Sequence, residues 1–174
     1  MAELKDLIRS VPGFPKPGIV FRDITTLLLD AEALREAVDR MSAPYEGQGV
    51  ELVVGAEARG FILGGAIACR LGAGFVPVRK RGKLPAKTIE QSFELEYGTD
   101  TLAVHQDAIR PGQKVLMVDD LLATGGTMAA SCRLVESLGG RIVGCVFLIE
   151  LTFLGGRQKL EPCGVLSLIQ YESE

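Results

Sequence analysis

Two adjacent carboxylates stand just ahead of a glycine pair in the stretch Asp119-Asp120-Leu121-Leu122-Ala123-Thr124-Gly125-Gly126-Thr127. Paired glycines let the backbone turn sharply with bare N–H groups outward, and Thr124 and Thr127 add hydroxyl donors. A helix expected over Met128 to Leu138 points its N-terminus, worth about +0.5 charge, at the same place. Together these make a cradle for one phosphate. Carboxylates beside a phosphate repel it unless they face another part of the ligand, and a sugar diol is such a part. Phosphate at one end and vicinal hydroxyls at the other describe a ribose 5-phosphate. Negative charge under a ribose ring also stabilises a developing oxocarbenium-like cation.

Other phosphate motifs fail. The 119–127 loop has no lysine, and Gly82-Lys83 is followed by Leu84, so neither is a Walker A loop. Gly72-Ala73-Gly74 has Pro77 where the dinucleotide pattern needs its third glycine, and Gly47-Gln48-Gly49 has Leu52. The lone His105 rules out a multi-histidine metal site and reads as structural. Cys69, Cys132, Cys145 and Cys163 are widely spaced with no Cys-x-x-Cys pair, which reads as reduced thiols in a cytosolic protein, a disulfide or metal role being the alternative.

The elements that position this chemistry form two similar units. In the first, the apolar run 51–56 reads as a buried strand, Glu57-Ala58-Arg59-Gly60 as a polar turn, and Phe61 to Leu71 as a helix stopped by Gly72. Its small residues Gly64-Gly65-Ala66 suggest close packing across a subunit interface. Phe75 to Val78 follows as a strand, with Pro77 suggesting an edge or irregular position. In the second unit, Lys114 to Val118 is a strand, 119–127 a loop, 128–138 a helix and Arg141 to Ile149 a strand. Strand, loop, helix, strand, twice over, is the pattern of a parallel α/β sheet, which binds ligands beyond the carboxyl ends of its strands.

Ahead of these units, Leu4, Leu7 and Ile8 have helical spacing within Ala2 to Arg9. The proline- and glycine-rich segment from Val11 to Gly18 excludes helix and interior strand, and Ile19-Val20-Phe21 resumes as extended chain. Asp30 is placed to cap a helix whose apolar face carries Leu34, Ala37, Val38 and Met41. Between the units, Arg79, Lys80, Arg81, Lys83 and Lys87 are five cations with no acid among residues 79–87. Thr88 to Tyr97 then alternates, and the whole reads as an exposed hairpin-like excursion, a candidate lid.

Composition bounds the rest. The chain has 174 residues and a net charge of −3, which argues against nonspecific nucleic-acid binding. No apolar run is long enough to cross a bilayer, and the first ten residues lack a signal-peptide core. Glycine makes up 21 of 174 residues, about 12% against a typical ~7%, in a chain too apolar to be disordered.

The stretch VLMVDDLLATGGT, Val115 to Thr127, resembles the phosphoribosyl-pyrophosphate motif of the type I phosphoribosyltransferase family. FPKPGIVFRDIT (14–25), EARGF (57–61), VRKRGKLP (78–85) and LEYGTD (95–100) resemble its adenine-specific branch, in order and over nearly the whole chain. The resemblance implies a single domain over 1–174: a twisted, mainly parallel sheet flanked by helices, an N-terminal hood at 1–30 and a flexible lid at 79–98. It implies transfer of the 5-phosphoribosyl group from phosphoribosyl pyrophosphate to adenine, by dissociative substitution with inversion, giving AMP and pyrophosphate. Magnesium would be held mainly by the substrate's pyrophosphate, with no direct protein ligand, in a cytoplasmic homodimer without nucleic-acid or membrane partners.

By the same resemblance, Ala123, Thr124, Gly125, Gly126 and Thr127 hold the 5-phosphate, and Asp119 and Asp120 face the ribose. Arg59 holds pyrophosphate together with Arg79, Lys80 and Lys83, some of them reaching across a dimer. Glu96 is a lid carboxylate near the reaction centre, assisting proton removal from the base or stabilising the cationic sugar, and Tyr97 helps close the lid. Backbone groups at Val20 and Arg22 read the base edge, being unused in any ladder; Phe21 packs on its face and Leu151 on the other side. Three alternatives stay open: a 6-oxopurine or orotate enzyme, a non-catalytic sensor of phosphoribosyl pyrophosphate, and a Rossmann-type methyltransferase.

Overall fold

The computed structural model describes residues 3–94 and 98–173. A hood begins the chain. One 3-10 turn covers Leu4–Leu7, and Arg9–Pro12 then forms β1, paired antiparallel with β2 (Val20–Asp23) from Arg9↔Asp23 to Pro12↔Val20. The helical spacing of the first residues therefore yields only one turn, because from Arg9 the backbone is taken up by the hairpin. Arg9 fastens the hairpin, its Nε donating to Asp23 Oδ2 at 3.0 Å. Two short steps follow, α1 (Thr25–Leu29) and α2 (Ala31–Ser42). Asp30 caps α2 as expected, accepting from the amides of Glu32 and Ala33 at 3.0 Å.

The main sheet has seven strands in the order β5-β6-β4-β3-β7-β8-β9. Its parallel part comprises β3 (Leu52–Ala56), β4 (Gly74–Lys80), β7 (Lys114–Leu122), β8 (Arg141–Leu151) and β9 (Val165–Tyr171). The hairpin β5 (Thr88–Glu94) and β6 (Thr99–His105) adds an antiparallel edge through Arg79↔Ala103 and Lys80↔Leu102. The hairpin-like excursion thus extends the main sheet. Within β6, His105 is structural, its Nε2 accepting from the Ala86 amide at 3.3 Å.

The helices α3 (Arg59–Leu71) and α4 (Gly126–Ser137) complete the two βαβ units. One core gathers the hood, α2 and α3 over Leu116, Val118 and Leu148; the other gathers α4 over Val54, Met117 and Phe147. Each fully buried leucine or phenylalanine contributes roughly 1.5–3 kcal/mol. Gly72 ends α3 in the left-handed conformation at φ +67°, as its position predicts. Gly64 of α3 serves packing inside the chain, since a Cβ there would lie 2.7 Å from the Phe75 ring; Gly65 faces open space.

Three boundaries differ from the sequence reading. β7 runs on to Leu122, so Asp119 and Asp120 end a strand and do not lie in a loop. The cause is β8, whose residues Phe147, Ile149 and Glu150 pair with Asp119, Leu121 and Leu122. β4 is an interior strand, yet its pairing with β6 begins only at Arg79, so Pro77 meets a ladder on the β3 side alone. Val20 and Arg22 do sit in a ladder, opposite Pro12 and Ser10, which leaves the outer edge of a two-stranded sheet to read a ligand.

Strands β4 and β7 flank β3 on opposite sides, so the connections leaving β3 and β7 diverge. That divergence opens a crevice at their carboxyl ends. The turn at 57–60 and the loop at 123–125 lie there.

Candidate active site

A cavity of about 330 Å³ fills the crevice, lined by the 57–59 turn and by residues 119–128. It brings together Arg59, Asp119, Asp120 and all five residues from Ala123 to Thr127. Gly125 supplies the turn at φ +78° and precedes α4, whose first amides face the loop. A side chain could not replace Gly125, and one at Gly126 would have to displace the Phe93 ring slightly. A Cβ on Gly125 would lie 2.4 Å from the Gly156 carbonyl oxygen, and one on Gly126 3.3 Å from the Phe93 ring.

The two carboxylates differ in setting. Asp120 is 5% exposed and pairs with Arg59, whose Nε donates to its Oδ2. Asp119 Oδ1 accepts from the Asp120 amide at 2.9 Å and lies against Gly60, where a Cβ would stand 2.6 Å from it. Burial, and then the neighbouring Asp120 charge, push the Asp119 carboxyl well above the ordinary carboxylate value. Only Nε of Arg59 is spent on Asp120, and the side chain stays 40% exposed at the cavity.

Arg79, Lys80 and Lys83 stand one layer out from this cavity. Arg79 donates through Nε and Nη2 to Glu57 Oε2 at 3.2 and 3.1 Å, and through Nη1 to the Lys83 carbonyl. The Lys80 amide also donates to Glu57, and its ammonium pairs with Asp100 at 3.0 Å. Burial alone would raise the Glu57 carboxyl, but the Lys80 amide and the Arg79 guanidinium outweigh it and hold it below the ordinary range. Glu96 and Tyr97 lie outside the described residues.

A second cleft of about 520 Å³ adjoins the first and shares Leu121, Ala123 and Thr124 with it. Val20, Phe21, Arg22 and Leu151 all line it, with Phe153 and Leu154 from the 3-10 turn at Thr152–Leu154. Phe14 meets Phe21 edge-on at 5.2 Å, and Arg22 lies 3.9 Å over the Tyr171 ring. Most of its lining is apolar, with Phe21 and Phe153 among it, which suits a planar heterocycle.

Residues 25–162 match the family described as the phosphoribosyl transferase domain. The adenine phosphoribosyltransferase of Geobacter metallireducens is 58% identical over 171 residues, covering 98% of this chain and 100% of its own. The chain belongs to the adenine phosphoribosyltransferase family. The crystal structure of the adenine phosphoribosyltransferase from Thermoanaerobacter pseudethanolicus superimposes with a TM-score of 0.94 at 54% identity, covering 97% of this chain and 98% of that one. That of the Saccharomyces cerevisiae enzyme, complexed with an imino-altritol bisphosphate and adenine, gives 0.89 at 38%, covering 94% and 95%.

Part of the site escapes the sequence reading. Gly60 makes room for Asp119. Gly156 makes room for the loop at 123–125, since a Cβ there would lie 2.2 Å from the Ala123 carbonyl oxygen. Glu150, 3% exposed at the end of β8, anchors the segment carrying Gly156. It accepts from Arg157 Nε at 3.0 Å and Nη2 at 2.5 Å, and from Ser167. The available signal was the Gly155-Gly156 pair and the acid directly before Leu151. The carboxylates lining the cavity are hard oxygen donors already engaged by Arg59, Arg79 and backbone amides. That fits a magnesium ion arriving on substrate phosphates better than a cage built from the protein alone.

Proposed function

We infer that this chain transfers the 5-phosphoribosyl group of phosphoribosyl pyrophosphate to adenine, releasing AMP and pyrophosphate. The observation that carries the reading is the continuity of the two clefts through Leu121, Ala123 and Thr124. A phosphate in the 123–127 loop and a base against Phe21 then share one sugar between them. In this reading the amides of 124–127 and the start of α4 hold the 5-phosphate, and Asp119 and Asp120 face the ribose hydroxyls. Asp119 and Asp120 each engage a ribose hydroxyl, and the negative charge of the pair stabilises the cationic sugar.

Arg59 takes the pyrophosphate through its Nη nitrogens. Arg79, Lys80 and Lys83 supply a positive field behind it, and Glu57 fixes their strand to the site. Charge neutralisation of the leaving pyrophosphate is the chemistry that magnesium, carried in on the substrate, supplies. The bond from the anomeric carbon to pyrophosphate breaks, the adenine nitrogen bonds to the opposite face, and the proton on that nitrogen passes to solvent. The outer edge of β2 at Val20 and Arg22 reads the base, with Phe21 and Leu151 on its faces. Glu96 and Tyr97 belong to a lid over 79–98 that excludes water from the cation. The reading includes one domain over 1–174 with a hood at 1–30, in a cytoplasmic homodimer. The exposed Ile62 and the open Gly65 of α3 offer a face for the second subunit. No described helix is long and apolar enough to cross a membrane. Incubation with adenine, phosphoribosyl pyrophosphate and magnesium should yield AMP and pyrophosphate in equal amounts; absence of AMP would refute the assignment.

A further inference from the structure

The transferase reading leaves three thiols unused. Cys132 on α4, Cys145 on β8 and Cys163 in the turn before β9 bring their sulfurs within 4.8 Å of one another. Sequence spacing concealed this, because three separate segments supply them. The fold converges them: the Cys145 amide donates to the Gly164 carbonyl at 2.8 Å, beside Cys163, and α4 packs over β8. Cys145 is fully buried, Cys132 is 7% exposed and Cys163 is half-buried.

We propose that Cys132, Cys145 and Cys163 bind one soft, thiophilic metal ion through three sulfurs, with the remaining coordination direction open on the Cys163 side. A tetrahedral ion with metal–sulfur bonds of about 2.3 Å sets its sulfurs about 3.8 Å apart. Cys132 and Cys145 already stand at 3.9 Å. Thiolates select zinc- or copper(I)-type ions, whereas magnesium prefers oxygen, so this site and the transferase site draw on different ions. On binding, each S–H bond is replaced by a metal–sulfur bond, three protons pass to solvent, and no electrons are exchanged. The bound ion joins α4, which begins at the phosphate loop, to β8 and to the turn entering β9.

Cobalt(II) is the probe, added without oxygen to the full-length, reduced, metal-stripped chain. A thiolate-to-cobalt charge-transfer band should saturate at one cobalt per chain, bleach with one equivalent of zinc, and accompany a raised thermal midpoint. Cys163→Ser, in a half-buried turn, should weaken cobalt at least tenfold while circular dichroism stays native. Cys69→Ser, outside the cluster, should leave the band unchanged. Cys132→Ala should abolish the band; if that buried variant unfolds, Cys163→Ser still decides. No band in the folded wild type overturns the proposal, as does a band that survives Cys163→Ser at full affinity. A mass two hydrogens lower after titration, with no bound ion, overturns it too, because the thiols then form a disulfide.

Discussion

The guanidinium of Arg59 lies over the ring of Phe21, 4.9 Å from its centroid, while its Nε holds Asp120. One side chain at the start of α3 therefore touches both clefts, and in the proposed function it links the base wall, a ribose-facing carboxylate and the pyrophosphate position. A cation over an aromatic face contributes about 0.5–1 kcal/mol at exposed sites, less than a charge-assisted hydrogen bond. Arg59→Ala should therefore weaken phosphoribosyl pyrophosphate by roughly 1.5–3 kcal/mol, about tenfold to a hundredfold, and adenine by much less. Initial-rate KM values for both substrates check this. Equal losses would make Arg59 structural.

Asp119 and Asp120 should be required for turnover and not for folding. Asp119→Asn with Asp120→Asn keeps the shapes but removes the negative charge under the ribose. The double variant should lose most kcat, by at least a hundredfold, with an unchanged circular dichroism spectrum. Wild-type rates would remove the ribose assignment.

Gly156 is predicted to be irreplaceable although it contacts no substrate in this account. Gly156→Ala puts a methyl group where the Ala123 carbonyl oxygen stands. The loop at 123–125 must shift, at a cost of about 1–3 kcal/mol. Binding of ribose 5-phosphate by calorimetry should fall roughly tenfold or more, while Gly65→Ala, in open space on α3, leaves it unchanged.

The Glu150–Arg157 pair should set part of the acid stability. Arg157 foremost, then Ser167, holds the Glu150 carboxyl below the ordinary carboxylate value, against the opposing effect of burial. A carboxylate lowered in the folded state gives stability that is complete above its unfolded pKa, near ~4.3, and fades as pH falls through the folded value. Wild-type stability should therefore decline below about pH 4, and Glu150→Gln should flatten that leg. At neutral pH the variant should lose about 1–2 kcal/mol, a modest figure because Arg157 is 44% exposed. Urea unfolding across pH 3–7 measures both effects.

Local chemistry made much of this legible beforehand. The Asp30 cap, the Gly72 stop and the two βαβ units follow from residue types and spacing, and the 119–127 motif locates the wall of the crevice at the start of α4. What depends on distant partners stayed hidden. Asp119 and Asp120 read as loop because acids disfavour strands locally, yet pairing with β8 overrides that preference. Gly156 meets Ala123 from 33 positions away, and Cys132 meets Cys145 and Cys163 only once α4 lies on the sheet. The β1–β2 ladder eluded the proline-rich reading because Pro12 ends its strand, a position where its missing N–H costs little.

The central claim is that one crevice joins phosphoribosyl transfer to adenine recognition. Pyrophosphate release with phosphoribosyl pyrophosphate and magnesium, offering adenine, hypoxanthine, guanine and orotate in parallel, tests it most directly. The account predicts turnover with adenine alone. Turnover with another base would contradict the assignment of Val20, Phe21 and Arg22, and tight phosphoribosyl pyrophosphate binding with no turnover on any base would contradict catalysis itself.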